Sequence, residues 1–200
     1  MAQTQQQQKL CFVSVGATAE FPALINTALS ADFLSALQSQ GYTELLVQYG
    51  EDGKDAFDGL MKQAQSGVES SGLKVSGFAL DKAGLGRYMR RAKGGSKTML
   101  PGVVVCHAGS GTILDALRTA VPTIVVPNSA LLDNHQAELA EALSEQQYVI
   151  HGKLDNLGHA LQEAEKLRQR QKEWPPVNAG MQRQGKGLKG ILDEEMGFLD

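Results

Sequence analysis

Gly102-Val103-Val104-Val105-Cys106-His107-Ala108-Gly109-Ser110-Gly111-Thr112-Ile113 runs from an unbroken apolar segment into a small-residue turn and on into a helical pattern. Apolar residues without polar alternation mark a strand buried on both faces, the kind found in parallel sheets. A strand that ends in glycines and passes straight into a helix gathers unpaired main-chain N–H groups at one point. The start of the helix also carries partial positive charge there. Such a point favours an anion, by about 0.3–1 kcal/mol per exposed contact and up to ~2 kcal/mol when partly buried. A second polar cluster, Asp133-Asn134-His135-Gln136, stands at another helix start further on. Two helix starts at successive strand ends predict one crevice that takes a nucleotide together with a group attached to it.

Outward from this stretch, strand-like runs alternate with helical patterns. Residues 10–15 read as a first strand that ends at Gly16-Ala17-Thr18. Pro22 suits the first turn of one helix whose apolar residues include Leu24, Ile25, Leu29, Phe33, Leu34 and Leu37, stopped by Gly41. A strand follows over 44–49, a helix over 55–66, a strand over 73–79 and a short helix over 85–92. Lys93-Gly94-Gly95-Ser96-Lys97 reads as a flexible insertion. Strand 103–106, helix 112–120, strand 123–127, helix 135–146, strand 148–150 and a charged helix over 156–171 complete the series. The expected fold is α/β, a Rossmann-like parallel sheet with helices on both faces. Ligands on such sheets sit beyond the carboxyl ends of the strands, where both polar clusters fall. Residues 1–9 read as a disordered polar arm, 10–172 as one domain, and 173–200 as a linker and tail. The tail regains apolar residues at its end, so it either docks or frays.

Two hundred residues, 42% of them hydrophobic, suit one large domain with a sizeable core. A formal charge of −3 weighs against a general nucleic-acid binder. Cys11 and Cys106 lie inside apolar runs and read as buried small hydrophobes, which places the chain in a reducing, cytosolic setting. No segment approaches the ~18 apolar residues of a membrane span, and the polar N-terminus has no signal-peptide core. A link to a membrane is therefore expected through a partner.

Gly109-Ser110-Gly111 begins a GxGxxG pattern, but Leu114 stands where its last glycine belongs, which disfavours a nicotinamide or flavin enzyme. No GK[ST] phosphate loop is present. Asp52, Asp55 and Asp58 lack the glycine and glutamate of a calcium loop and read as a solvated face. With no Asp-x-Asp pair, no metal is expected at the diphosphate, and no cofactor is expected at all. Asp115 reads either as a carboxylate that accepts from a ribose or as one end of a Thr112-x-x-Asp115 capping box; Asp133-x-x-Gln136 has the same two readings. His107 either donates to a phosphate or ends its strand with a backbone-bonded ring. His135 is an exposed helix-start residue or a ligand contact. Arg87, Arg90, Arg91 and Lys93 form a solvated face or approach anionic groups.

The runs His107-Ala108-Gly109-Ser110-Gly111-Thr112-Ile113-Leu114-Asp115 and Leu132-Asp133-Asn134-His135-Gln136-Ala137-Glu138-Leu139-Ala140 closely resemble the asparagine-linked glycosylation thirteen family, a glycosyltransferase family 28 C-terminal domain. The likeness extends to Val15-Gly16-Ala17-Thr18, Phe21-Pro22, Gln48-Tyr49-Gly50 and 121–128, and covers most of residues 10–160. It implies the C-terminal, donor-binding half of a GT-B glycosyltransferase. Such a half-enzyme is metal-independent and inverting, and transfers GlcNAc from UDP-GlcNAc to GlcNAc-diphosphodolichol at the cytosolic face of the endoplasmic reticulum. A membrane-anchored partner subunit of the asparagine-linked glycosylation fourteen type supplies the other half. By this resemblance Gly109, Ser110, Gly111 and Thr112 hold the UDP diphosphate, with Gly16, Ala17 and Thr18 on the opposite wall. Asp115 holds the ribose, although relatives commonly carry Glu there. Asp133, Asn134 and Gln136 face the sugar hydroxyls and N-acetyl group. No residue of this chain presents itself as the general base, which is expected from the partner. The alternative is a non-catalytic nucleotide-sugar-binding regulatory module that uses the same crevice. The insertion 93–99 and the tail lie outside the shared pattern.

Overall fold

Strands whose successive residues are all apolar need cover on both faces, because neighbouring side chains point to opposite sides of a sheet. The computed structural model, which describes residues 7–17, 20–130 and 135–173 with side chains through 169, provides it. Strands β1 (Gln8–Ser14), β2 (Glu44–Gln48), β3 (Lys74–Phe78), β4 (Met99–His107), β5 (Thr123–Val126) and β6 (Ile150–His151) form one parallel sheet in the order β3-β2-β1-β4-β5-β6. On one face Cys11, Val13, Val103, Val105, Ile124 and Val126 pack under helices α1 (Pro22–Ala28), α2 (Ala31–Ser39), α3 (Lys54–Gln63), α4 (Gln65–Ser71) and α8 (Leu157–Glu173). On the other, Leu10, Phe12, Val104, Cys106 and Val125 pack under α5 (Gly86–Lys93), α6 (Ser110–Thr119) and α7 (His135–Glu145). The α/β Rossmann-like expectation agrees with this architecture. Both cysteines are buried and free.

Several boundaries differ, each for a local reason. The single helix expected after Pro22 is two. Ser30 caps the second, its hydroxyl accepting from the Phe33 N–H at 3.3 Å, while buried Leu29 keeps the apolar spacing continuous across the break. The helix expected over 55–66 divides at Ala64, which ends α3 and begins α4. Strand β1 starts at Gln8 and so draws Gln8 and Lys9 out of the polar arm. Strand β4 starts at Met99 and includes Pro101. Its pairing with β1 jumps from Lys9–Leu100 to Cys11–Val103, and proline is tolerated at such an irregularity. The segment expected to be a flexible insertion forms a turn, with the Gly95 and Ser96 N–H groups both donating to the Met99 carbonyl at 2.8 and 3.1 Å. Strand β6 is shorter and later than expected, and α6 begins at Ser110 rather than Thr112. Among the described residues no helix is long and apolar enough to cross a membrane.

The strand order sets the location of any ligand. The chain leaves β1 toward β2 on one side and leaves β4 toward β5 on the other, so a crevice opens between the ends of β1 and β4. The two glycine turns recognised in the sequence follow those two strands.

Candidate functional site

The first wall of the crevice is the turn after β1. Gly16 has φ +90°, a conformation that residues with a side chain rarely adopt. It is held there by the buried amide of Gln48. The Gln48 side-chain carbonyl accepts from the Gly16 N–H at 3.3 Å and from the Ser14 hydroxyl at 2.8 Å, and its NH₂ donates to the Gly16 carbonyl at 2.9 Å. The second wall is the turn after β4. The Gly109 N–H donates to the His107 carbonyl at 2.8 Å, and the Gly109 carbonyl accepts from Ile113 at 3.0 Å to start α6. Gly109, the N-cap, has no side chain to bond the first-turn N–H groups, so those of Ser110, Gly111 and Thr112 stand at the end of β4 without an intrahelical partner. A side chain on Gly111 would meet nothing within 4 Å, so that side of the first turn is open.

His107 joins the two walls. A methyl group placed on Gly16 would lie 2.5 Å from its Cε1, and one placed on Gly109 would lie 2.1 Å from its Nε2. The imidazole is thus wedged between two glycine backbones, one from each turn, and each glycine is required because the ring occupies the place of its Cβ. Burial holds the His107 pKa below its ordinary value, partly offset by the nearby Ser14 backbone. Its Nδ1 is buried and makes no well-formed hydrogen bond among the described residues. Burial thus favours the neutral ring, which is packed between the two turns with the Ser14 backbone beside it.

Asp115 is not part of a capping box. Thr112 lies inside α6, whose N-cap is Gly109, and the half-exposed Asp115 carboxylate pairs with Arg118 at 3.5 Å. It faces a groove of about 720 Å³ between α5 and α6, bordered by the 83–86 turn, Arg90, Lys93 and Arg118. The basic residues of α5 divide by role: Arg91 pairs with buried Glu44, Arg87 pairs with Asp81 at 2.7 Å, and Arg90 and Lys93 line the groove. The side-chain carbonyl of Gln136 accepts from the Asn128 N–H at 3.0 Å. Asn128 in turn donates to the Glu20 carbonyl at 3.2 Å, so the Gln136 carbonyl braces the loop after β5. His135 is exposed beside Glu138. Thr18, Asp133 and Asn134 lie outside the described residues, as do residues 1–6 and 174–200.

Gln48 and Asn128 escaped sequence reasoning as site residues. Gln48 did leave a signal, since a polar amide inside an otherwise apolar strand must find buried partners.

A Rossmann-like sheet with two glycine turns converging at its switch point is a nucleotide-binding architecture. The model of the glycosyltransferase family 28 C-terminal domain matches residues 10–186, and the chain belongs to that family. Within it, the chain is 36% identical over 152 residues to the UDP-N-acetylglucosamine transferase subunit ALG13 of Yarrowia lipolytica, covering 74% of this chain and 68% of that one. It is 30% identical over 203 residues to ALG13 of Cryptococcus neoformans, covering 93% and 96%. An NMR solution structure of ALG13 aligns with a TM-score of 0.59 at 28% identity, over 86% of this chain and 90% of that one. The crystal structure of MurG from Acinetobacter baumannii shares the fold, with a TM-score of 0.55 at 19% identity over 84% of this chain and 43% of that one. Family membership gives the chain a glycosyltransferase role.

Proposed function

We propose that this chain is the donor-binding, catalytic subunit of a UDP-N-acetylglucosamine transferase that works with a membrane-anchored partner. The observation that carries this reading is the convergence of the Gly16 and Gly109 turns on His107 at the switch point of the sheet. Main-chain N–H groups there, with those of Ser110, Gly111 and Thr112, would hold the UDP diphosphate without a cation. Asp115 reaches the ribose from the α5–α6 groove. Thr18, Asp133, Asn134 and Gln136 are assigned to the donor by resemblance.

The reaction is one inverting displacement on GlcNAc-diphosphodolichol, with β-linked GlcNAc2-diphosphodolichol as product. The acceptor hydroxyl oxygen bonds to the anomeric carbon as the bond from that carbon to the diphosphate breaks, and the electron pair leaves with UDP. The amides of the two turns stabilise that departing charge. The hydroxyl proton goes to a base on the partner, which anchors the pair at the cytosolic face of the endoplasmic reticulum. The names of the relatives support this reading, since each is a subunit of a transferase that uses this donor.

The test is reconstitution. The purified chain alone should bind UDP-GlcNAc and transfer nothing; adding the membrane-anchored subunit should yield the chitobiose lipid, with the rate unchanged by a chelator. Transfer by the chain alone would overturn the half-enzyme reading, and absence of donor binding would overturn the site.

A further inference from the structure

Gln48 closes β2 in a strand that is otherwise apolar apart from Glu44, and its side chain is fully buried. A buried primary amide has two N–H donors and a carbonyl to satisfy, so its partners are a structural commitment. The partners here are both main-chain polar groups of one residue, Gly16, together with the Ser14 hydroxyl. Main-chain pairing across this edge ends with the Val15 N–H donating to the Gln48 carbonyl at 3.2 Å. The Gln48 side chain then takes over where the ladder stops. It bonds Gly16 as the peptide group of an adjoining strand would, while Gly16 has already turned to positive φ.

That clamp fixes more than Gly16. A peptide unit is planar and trans, so the N–H of Ala17 points opposite to the carbonyl of Gly16. Gln48 draws the Gly16 carbonyl inward, toward the buried end of β2. The Ala17 N–H is consequently aimed outward, over the crevice between β1 and β4, and Ala17 itself is exposed. Without the Gln48 NH₂, nothing among the described residues bonds the Gly16 carbonyl, and the 16–17 peptide is free to rotate that donor away.

We propose that Gln48 is a positioning residue for the donor diphosphate. Its amide orients the 16–17 peptide so that the Ala17 N–H meets a phosphoryl oxygen, although Gln48 itself touches no ligand. The inference rests on the donor-binding reading above and deepens it.

The experiment compares UDP with uridine as ligands of the full chain, by calorimetry or competition, for the wild type and for Gln48→Met, which keeps side-chain length and loses every bond. UDP affinity should fall roughly tenfold, the scale of one well-placed hydrogen bond, while uridine affinity changes by less than about twofold. A purely structural role would weaken both ligands together or neither. Either of those results overturns the proposal. Gln48→Leu is the second variant: it also removes the donor to the Gly16 carbonyl with no group able to replace it, and it should show the same selective loss. Should both variants misfold, amide exchange in the wild type decides. The Gly16 N–H should be protected with or without ligand, and the Ala17 N–H should become protected only when UDP is added. An Ala17 N–H already protected without UDP, or indifferent to it, overturns the proposal. Wild-type chain that binds neither UDP nor uridine refutes the donor-binding reading itself, whereas normal wild-type binding with unaffected Gln48 variants refutes this inference alone.

Discussion

If the His107 ring is what excludes a Cβ at both turns, replacing either glycine should carry a steric cost only while the ring is present. Gly109 has φ −88° and ψ 123°, ordinary extended backbone, so Gly109→Ala adds no conformational strain. Its only fault is a Cβ 2.1 Å from Nε2 and 2.7 Å from Cε1 of His107. Overpacking of this kind destabilises by about 1–3 kcal/mol, and the ring cannot retreat because Gly16 stands on its other side. Gly16→Ala meets the same ring at 2.5 Å and also forces a side chain to positive φ, which adds about 1–2 kcal/mol, for a total of about 2–5 kcal/mol. His107→Ala empties the space and should itself cost about 1–2 kcal/mol. Urea unfolding of the singles and the two doubles then separates the causes. Gly109→Ala with His107→Ala should be no less stable than His107→Ala alone, a coupling of about 1–3 kcal/mol. Gly16→Ala with His107→Ala should keep a residual loss of about 1–2 kcal/mol from its backbone. Additive doubles, with no rescue at Gly109, would refute the wedge.

Three other outcomes follow from the same structure. The Glu165 carboxylate receives Lys9 at 2.9 Å, Tyr42 at 3.0 Å and Arg168, which ties α8 to β1 and to the turn before β2. Glu165→Ala strands two mostly buried cations and should cost about 2–4 kcal/mol in urea unfolding, the carboxylate being itself partly exposed; a loss near zero would contradict this. Because burial holds the His107 pKa below its unfolded value near ~6.5, the ring contributes stability that is full above that pH and is lost as pH falls toward the folded pKa. The stability of the wild type relative to His107→Gln should therefore decline as pH falls from about 7.5 to about 5.5, and a constant difference would count against a depressed pKa. Burial pushes the Cys106 thiol up to about 12 and the Cys11 thiol higher still, so an aromatic disulfide reagent should modify both only at the rate of unfolding; rapid labelling of the native chain would show the sites to be open.

The sheet was legible because its strands are short unbroken apolar runs punctuated by glycine, and their alternation with helical patterns leaves few topologies open. The division between α1 and α2 was hidden by Leu29, Phe33 and Leu34, which preserve helical spacing across the capping Ser30. Pro101 obscured the start of β4, since only the jump in register shows why a proline fits there. At the site, each glycine turn was visible as local chemistry. What the turns do to each other was not, because the ring that joins them stands on β4 and presses on Gly16 after β1, a contact made only by the strand order. Gln48 was concealed for the same reason, its partners lying on the neighbouring strand and the turn beyond it. Thr112 and Asp115 have capping spacing but stand inside a helix that begins at Ser110, which frees Asp115 to face the α5–α6 groove.

The most direct test is an amide-resolved NMR titration of the chain with UDP-GlcNAc. The largest shifts should fall on Gly16, Ala17, Ser110, Gly111 and Thr112, with a smaller set around Asp115. Shifts gathered elsewhere, for instance in the separate cavity bordered by His151, Lys153 and His159, with the two glycine turns unmoved, would contradict the site on which the proposed function stands.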